Sequence, residues 1–321
     1  MKKIYITNKC NQKLFDLFLE AGFPVEINPE NKTLEKKELL QVLKEKNPEI
    51  LITLLSDKVD SEILEAGTHL KLIGNYAVGF NNIDVQAAKE KGVSVVNCRG
   101  TSGSAVAQHV VSLILSLYSR ILEGDTLIRE QKWKGWDANL LMGQDLQNKT
   151  VGLVGGGNIG GKVAEILHKG FNCKILYSDL NANRILEENC SAQKLELNEL
   201  LQNSDIVSLH VPLLESTQHL INADKLKLMK PSAILINTAR GAVVDEEALI
   251  GALEKANIAG AGLDVFENEP NISERLRNLQ NVVLTPHIAS AKESARTEMN
   301  ELIFQNVKNY LEDKPLVSEV I

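Results

Sequence analysis

Short runs of apolar residues alternate with amphipathic stretches along almost the whole chain. The stretches at 34–46, 85–91 and 246–256 have apolar residues at helical spacing. The runs between such stretches are almost continuously apolar, which is typical of parallel strands buried on both faces of a sheet. The pattern therefore predicts an α/β fold, with strands at 4–7, 50–53, 72–74, 93–96, 151–154, 174–177, 206–209, 233–236, 260–264 and 282–284.

A glycine-rich turn joins the run at 151–154 to the amphipathic segment that follows it. In the pattern Gly155-Gly156-Gly157-Asn158-Ile159-Gly160, Gly155 can make the tight turn and Gly157 can let a pyrophosphate approach the backbone. Gly160 can let the helix pack close to the strand. The free N–H groups that open the helix, at Asn158 and Ile159, would then hold the phosphates. The turn predicts a dinucleotide-binding site.

An aspartate, Asp179, stands at the tip of the next predicted strand. A carboxylate at this position binds the ribose hydroxyls of adenosine and repels the 2′-phosphate of NADP. Proteins that bind NADP usually place Arg or Lys nearby, whereas Asp179 is followed by Leu-Asn-Ala-Asn and Arg184 comes only later. The sequence predicts NAD as the cofactor.

The order of these elements predicts two domains in the 321 residues. The glycine turn comes near residue 150, after a series of strands and helices that is about one hundred residues long. We expect two doubly wound parallel-sheet domains. A Rossmann dinucleotide-binding domain at 100–288 would be inserted into a flavodoxin-like substrate domain at 1–99, which residues 289–321 complete. The strongly apolar segment 101–120 predicts a long buried helix at the junction.

Composition narrows the possible partners and the compartment. The chain has 35 basic and 42 acidic residues, a net charge of −7, and no basic cluster, which argues against nucleic acid and anionic membranes as partners. The apolar segment 105–122 is interrupted by Gln108, His109 and Arg120, so we expect no membrane span. The amino terminus has too short an apolar run for a signal peptide. We expect a cytoplasmic protein.

The four cysteines, at 10, 98, 173 and 190, form no CxxC pair. Cys10 and Cys173 lie in or beside predicted strands. We therefore expect them to pack as small apolar side chains rather than to form disulfides or to bind a metal.

Three charged residues follow predicted strands in the second half of the chain: Arg240, Glu269 and His287. Ligands bind at the carboxyl ends of parallel strands, so all three belong to the same sheet edge as the glycine turn. An arginine can clamp a carboxylate in a bidentate fork, a histidine can donate a proton, and a glutamate can favour the protonated imidazole. Together they indicate hydride transfer to a 2-keto acid.

The chain resembles the D-isomer-specific 2-hydroxyacid dehydrogenase family over essentially its full length. Besides the glycine turn, five motifs carry the resemblance: NYAVGFNNIDV at 75–85, LHVPL at 209–213, NTARGAVVDEEAL at 237–249, GLDVFENEP at 262–270 and TPHIAS at 285–290.

The resemblance implies roles for particular residues. Arg240, Glu269 and His287 would form the catalytic trio, and the backbone of Val78 and Gly79 would bind the substrate carboxylate. Asp264 would hold the nicotinamide carboxamide. Other residues are expected to line the cofactor: His210, Val211, Pro212, Thr217, Thr238 and Ala239. The resemblance also suggests a homodimer formed through the dinucleotide domain, with 101–145 as its arm.

Within the family, the segments 51–60 and 72–85 look closest to glyoxylate and hydroxypyruvate reductases. Leu54 and Leu55 predict a short apolar substrate pocket without a counter-charge for a phosphate. D-3-phosphoglycerate dehydrogenase and D-lactate-type dehydrogenases remain alternatives. Arg99, which replaces a usual proline, is the candidate to reach the phosphate of a phosphoglycerate dehydrogenase substrate. An NAD(H)-sensing corepressor is the alternative that is not an enzyme.

Overall fold

The structure is a computed structural model that describes residues 3–321, without the side chain of Cys10. The strands in this part of the chain are β1 Ile4–Ile6, β2 Val25–Ile27, β3 Ile50–Thr53, β4 Leu72–Asn75, β5 Ser94–Asn97, β6 Thr150–Val154, β7 Lys174–Ser178, β8 Gln193–Lys194, β9 Ile206–Leu209, β10 Ile234–Asn237, β11 Gly260–Leu263 and β12 Val282–Leu284. The α-helices are α1 Gln12–Glu20, α2 Lys36–Lys46, α3 Ser61–Ala66, α4 Val85–Glu90, α5 Gly103–Tyr118, α6 Ile121–Arg129, α7 Asn158–Phe171, α8 Arg184–Cys190, α9 Leu197–Asn203, α10 Ala223–Leu226, α11 Glu246–Glu254, α12 Glu274–Asn278 and α13 Glu293–Leu311. Short 3₁₀ turns lie at Lys9–Asn11 and Gly241–Val243.

The chain divides into two compact units. Unit 1 contains the residues up to Ser102 and Lys292–Ile321, and unit 2 contains Gly103–Ala291. These divisions lie three residues beyond the boundaries expected from the sequence, at 99/100 and 288/289.

Unit 1 is built on a five-stranded parallel sheet in the order β2-β1-β3-β4-β5, which is the flavodoxin-like order. Alternate residues of a strand face opposite sides of the sheet, and β1 shows this directly. Ile4 and Ile6 belong to the apolar cluster that includes α1 and α13, whereas Tyr5 belongs to the cluster that includes α2, α3 and α4. Both faces of the sheet are therefore covered by helices.

Unit 2 is built on a seven-stranded parallel sheet in the order β12-β11-β10-β9-β6-β7-β8. Counted within the unit, its first six strands have the Rossmann order 3-2-1-4-5-6, with β12 added as a seventh. Side chains of α5 and α7 pack on one face, and those of α9 and α11 pack on the other. The strand order reverses between β6 and β9, where α/β sheets of this kind bind their ligands.

The predicted fold class is confirmed: both sheets are parallel and doubly wound. Every strand predicted from an apolar run is present, shifted by at most one residue at either end. The sequence pattern did not reveal β2 and β8, which are edge strands without a fully buried residue. Such strands need no continuous apolar run.

The cysteines divide into two groups. Cys98, Cys173 and Cys190 are free and buried, as expected of small apolar side chains. Cys10 lies in a 3₁₀ turn rather than in a strand, and the prediction for its side chain falls outside the described residues. Among the described residues, no group of three His, Cys, Asp or Glu side chains could hold a metal ion.

The long helix predicted from the apolar segment 101–120 is present as α5, Gly103–Tyr118. Most of α5 is buried inside unit 2. The exposed apolar surface lies further along, on α6 and on the irregular segment after it, at Ile121, Leu122, Ile128, Trp133, Trp136, Leu140 and Met142.

No single helix of the described chain is long and apolar enough to cross a membrane. The bent pair of α5 and α6, with 64° between the two helices, meets the requirement by length and composition alone.

Candidate active site

The glycine turn between β6 and α7 has the geometry that the three glycines predict. Gly155 has a φ of 101°, and a Cβ atom there would lie 2.8 Å from the backbone of His210. A Cβ atom at Gly160 would lie 2.2 Å from the carbonyl oxygen of Gly155, so helix and strand approach too closely for a side chain. Around Gly157 there is open space within 4 Å, which leaves the backbone accessible.

The first turn of α7 presents backbone N–H groups to this open space. The N–H of Gly161 is the first to bond within the helix, to the carbonyl of Gly157. Within the described chain, the N–H groups of Asn158, Ile159 and Gly160 have no acceptor. They lie at the positive end of a 14-residue helix, which favours the binding of a phosphate.

Asp179 follows β7, next to the glycine turn. Its Oδ2 accepts a hydrogen bond from the N–H of Gly156 at 2.8 Å, and Oδ1 accepts one from Asn181 at 3.3 Å. The amide of Asn183 donates to the carbonyl of Gly156 at 2.7 Å and closes the loop. The carboxylate is therefore held in place while part of it remains accessible, and Leu180 beside it is exposed.

The ends of β9 and β10 place further polar groups at the same sheet edge. His210 Nε2 and Thr238 Oγ1 are buried and have no hydrogen-bond partner among the described residues. Burial lowers the pKa of His210 to about 4, so its ring is neutral. Thr217 holds the loop after β9, since its hydroxyl donates to Pro212 at 2.6 Å and accepts from the N–H of Leu214 at 2.8 Å. Buried polar groups are normally hydrogen-bonded, so these two atoms fit a site where a polar ligand supplies the missing hydrogen bonds.

The turn after β10 carries Arg240. The buried Asn237 holds this turn, because its amide donates to the carbonyl of Arg240 at 2.9 Å and its oxygen accepts from the N–H of Ala239 at 3.0 Å. A Cβ atom at Gly241 would lie 1.9 Å from the backbone of Phe266, so only glycine lets this turn meet the one that carries Glu269. Burial lowers the pKa of Arg240, and the charge of Glu269 opposes this.

Glu269 and His287 form a hydrogen-bonded pair. Glu269 Oε2 lies 2.8 Å from His287 Nδ1, and Oε1 accepts from the N–H of Phe266 at 3.0 Å. Burial alone would raise the pKa of Glu269. The bonds from His287 and Phe266 and the charges of His287 and Arg240 outweigh burial and lower the pKa, so the carboxylate is ionised. Sequence reasoning named all three charged groups, and the structure brings them together.

The turn at 285–289 fixes the position of His287, whose φ of 54° lies in the left-handed region that residues other than glycine seldom occupy. The backbone N–H of His287 donates to the carbonyl of Asp264 at 2.9 Å. The Asp264 carboxylate, which is fully buried, accepts from Thr285 Oγ1 at 2.6 Å and from the N–H groups of Ile288 and Ala289 at 2.9 and 2.8 Å.

Burial would raise the pKa of Asp264, but these bonds and one from His109 lower it, so the carboxylate is charged. His109 extends from α5, with Nε2 3.0 Å from Thr285 Oγ1. Because the threonine hydroxyl donates to Asp264, it accepts from His109. Sequence reasoning had noted His109 only as a polar interruption of an apolar helix, and that interruption was the signal that it had a buried partner.

The residues expected to contact the substrate, apart from the trio, lie in unit 1. Leu55 follows β3 and is partly buried, and Val78 and Gly79 follow β4. The side chain of Arg99, after β5, is exposed.

Comparison with known proteins agrees with this geometry. The family model described as "D-isomer specific 2-hydroxyacid dehydrogenase, NAD binding domain" matches residues 111–289. A glyoxylate reductase of Pyrococcus furiosus is 42% identical over 309 residues, which are 95% of this chain and 91% of that protein. A glyoxylate reductase of Thermococcus litoralis is 43% identical over 309 residues, 95% of this chain and 92% of that protein.

The crystal structure of the TT0316 protein from Thermus thermophilus superposes with a TM-score of 0.92 at 37% identity, covering 99% of this chain and 100% of that one. The motifs, the two parallel sheets and these relatives agree, and the chain belongs to the D-isomer-specific 2-hydroxyacid dehydrogenase family.

Proposed function

We propose that this protein is an NAD(H)-dependent reductase of small 2-keto acids, with glyoxylate and hydroxypyruvate as preferred substrates. The observation that carries the proposal is the hydrogen-bonded His287–Glu269 pair next to the partly buried Arg240, at the sheet edge that also carries the glycine turn. The curated relatives named above are glyoxylate reductases, which supports the choice of substrate.

His287 is the proton donor in this proposal. When Nδ1–H donates to Glu269, the other ring nitrogen, Nε2, can deliver a proton to the keto oxygen and leave a neutral imidazole that is still bonded to Glu269. The ionised Glu269 stabilises the imidazolium before the transfer. The hydride comes from the nicotinamide when the cofactor is bound.

Arg240 binds the substrate carboxylate in a bidentate fork and polarises the keto group. Its partial burial weakens screening by solvent, which strengthens its attraction for an anion. From unit 1 we assign the backbone N–H groups of Val78 and Gly79 to the same carboxylate, and Leu55 to the substrate's small substituent.

Unit 2 is the dinucleotide-binding domain and unit 1 the substrate domain in this proposal. The open N–H groups of Asn158, Ile159 and Gly160 would hold the pyrophosphate. The unpaired His210 and Thr238, with Val211, Pro212, Thr217 and Ala239, would line the rest of the cofactor. Asp264 would reach the nicotinamide carboxamide through Oδ2, which accepts one bond from the described chain.

We also propose a homodimer, assembled through the exposed apolar arm. The exposed apolar arm is residues 121–142, the part of the expected arm 101–145 that follows the buried helix α5, and its Trp136 is 86% exposed. Several large apolar side chains exposed along one segment are typical of an interface with a second copy.

Substrate choice is tested with a panel of four acids under steady-state conditions with NADH. We expect glyoxylate and hydroxypyruvate to have the highest kcat/KM, ahead of pyruvate and phosphohydroxypyruvate. Leu55 offers no counter-charge, and a buried dianion without a paired cation is costly. If phosphohydroxypyruvate is best and Arg99→Ala abolishes that advantage, the protein is a phosphoglycerate dehydrogenase; if pyruvate is best, it is of the D-lactate type.

The catalytic trio is tested by substitution and by pH. His287→Ala is expected to lower kcat by roughly 100-fold, the usual effect of losing a general acid. Arg240→Lys raises KM and lowers kcat, since lysine cannot form the planar fork. Keto-acid reduction slows as the pH rises from about 6 to about 9, because imidazole loses its proton in that range, and oxidation of the hydroxy acid shows the opposite trend.

Two variants sharpen that experiment. Glu269→Gln keeps a hydrogen-bond acceptor but loses the charge that stabilises the imidazolium, so keto-acid reduction is expected to be slower. His69→Ala, at an exposed histidine of unit 1, is the control and leaves the profile unchanged. A reduction rate that is flat over the whole pH range would remove His287 from the mechanism.

Cofactor preference depends on Asp179. Its carboxylate would repel the 2′-phosphate of NADPH, so we expect kcat/KM with NADH to exceed that with NADPH on the order of 100-fold. Asp179→Asn keeps an oxygen for the N–H of Gly156 but loses the charge. We expect this variant to have a smaller difference in kcat/KM between NADH and NADPH. Glu199→Gln, on an exposed acid of α9, leaves it unchanged. Equal efficiency of the two cofactors with the wild-type enzyme would contradict the proposal.

Assembly is measured by light scattering at micromolar concentration. The wild-type protein is expected to have the mass of two chains. Trp136→Glu introduces a charge into the arm and shifts the mass towards one chain. Leu19→Glu, at an apolar residue of unit 1 that is 59% exposed, is the matched control and leaves the dimer intact. A wild-type mass of one chain would show that the arm does not join two copies.

A further inference from the structure

We propose that Asn97 and Asn75 are positioning residues that direct three consecutive backbone N–H groups, those of Val78, Gly79 and Phe80, at the substrate carboxylate. The inference rests on the proposed function, in which Val78 and Gly79 bind that carboxylate. It adds the two side chains that hold this segment in its binding conformation, and a third N–H group.

The two asparagines occupy equivalent positions at the carboxyl edge of the unit 1 sheet. Asn75 is the last residue of β4 and Asn97 the last of β5, and they are direct register partners in the parallel pair. Register partners of neighbouring strands have side chains on the same face. The segment 76–80 leaves β4 at this point, so both amides are next to its backbone.

Each of the three carbonyl groups that precede the N–H groups accepts a hydrogen bond. The bonds are from the Cys98 N–H to Ala77 at 2.8 Å, from Asn97 Nδ2 to Val78 at 2.6 Å, and from Asn75 Nδ2 to Gly79 at 2.8 Å.

These bonds fix the direction of the N–H groups as well. In a trans peptide the C=O and the following N–H point in opposite directions. With the three carbonyls turned towards the strand ends, the N–H groups of Val78, Gly79 and Phe80 turn away from them. Within the described chain, none of the three donates to any acceptor. Successive N–H groups in a bend are a common anion-binding arrangement, and a carboxylate suits it.

Asn97 is itself held rigidly. Its side chain is 3% exposed, and Oδ1 accepts from the N–H of Arg99 at 3.2 Å. Its carbonyl accepts from Ser318 Oγ at 2.5 Å, and Ser318 is bonded in turn to Asn306 of α13. An amide with one available orientation can select one orientation of the Val78–Gly79 peptide.

Asn75 is equally constrained. It is fully buried, its Oδ1 accepts from Thr53 Oγ1 at 3.0 Å, and its amide also lies 3.1 Å from Asn82 Oδ1. Thr53, at the end of β3, is the register partner of Asn75, so the end of the sheet carries a row of three polar residues. Only the asparagines of this row contact the carbonyls of the bend.

Asn97→Asp is the variant that isolates the effect. Aspartate keeps the size and the oxygen that accepts from Arg99, but it loses the donor to Val78 and places a carboxylate against a carbonyl. We expect KM for glyoxylate to rise about 10-fold or more, because loss of the donor to the Val78 carbonyl frees the peptide to reorient. We expect kcat to change much less, and the Kd for NADH, which binds in unit 2, to stay unchanged.

Asn28→Asp is the matched control. Asn28 also lies in unit 1 and is 5% exposed; its Nδ2 donates to the Thr7 carbonyl at 2.9 Å and its oxygen accepts from the N–H of Glu30 at 3.1 Å. The variant therefore suffers the same chemical change away from the segment 76–80. It should lose a similar amount of thermal stability and keep the wild-type KM.

A pH series separates positioning from a general structural role. A protonated aspartic acid can donate to the Val78 carbonyl, so KM of Asn97→Asp, relative to wild type, falls as the pH is lowered towards about 5. Asn97→Ala has no donor at any pH and shows no recovery. A purely structural effect would give the two variants parallel profiles.

Binding of oxalate to the enzyme–NAD complex, measured by calorimetry, gives a readout that needs no turnover. We expect Asn97→Asp to weaken oxalate binding by the same factor as it raises KM. The positioning proposal is wrong if the folded Asn97→Asp protein keeps KM and oxalate Kd within twofold of wild type, or if Asn28→Asp raises them equally. If the wild-type protein reduces none of the four keto acids but its oxalate binding depends on Asn97, the proposed function fails and the positioning role stands.

Discussion

Parallel pairing of β10, β11 and β12 is the constraint on which the candidate site depends. Parallel strands all end at one edge, and the register here aligns Asn237 with Leu263 and Leu263 with Leu284. Residues that follow these strands by a few positions must therefore meet, although they are far apart in the sequence. Arg240, Glu269 and His287 are brought together by this register before any contact between their side chains is considered.

The second requirement is that a buried charge hold the turn that carries His287. A fully buried carboxylate is costly unless hydrogen-bond donors of the protein replace the water that it loses. Asp264 meets this condition with donors that come mostly from the turn itself, at Thr285, Ile288 and Ala289. The bonds that stabilise the buried charge thus also maintain the left-handed backbone of His287. His109 from α5 supports this arrangement through its contact with Thr285 Oγ1.

The sequence could predict the strands and the residues that follow them, but not the hydrogen-bond partners that hold the turns. Continuous apolar runs predicted every interior strand, and thereby which residues share an edge. The edge strands β2 and β8 have no fully buried residue and leave no such pattern. Residue chemistry at the strand ends predicted the trio. The partners His109, Thr285 and Asn237 could not be predicted in the same way, because a polar residue in an apolar context shows that a buried partner exists without showing which. The apolar run at 101–120 did predict the long helix α5, most of which is buried.

The strand ends also show why some positions carry asparagine and others aspartate. Asp264 faces backbone N–H groups and can be charged, because all its neighbours are donors. Asn97, Asn75 and Asn237 face backbone carbonyls, which only an amide N–H can hold. The peptides that Asn97 and Asn75 hold present the N–H groups that are proposed to bind a carboxylate. An aspartate in place of either asparagine would repel that carboxylate and would also lack the N–H that holds the carbonyl. Neutral amides therefore orient the substrate-binding backbone, while the charged carboxylate is kept behind the turn that bears the proton donor.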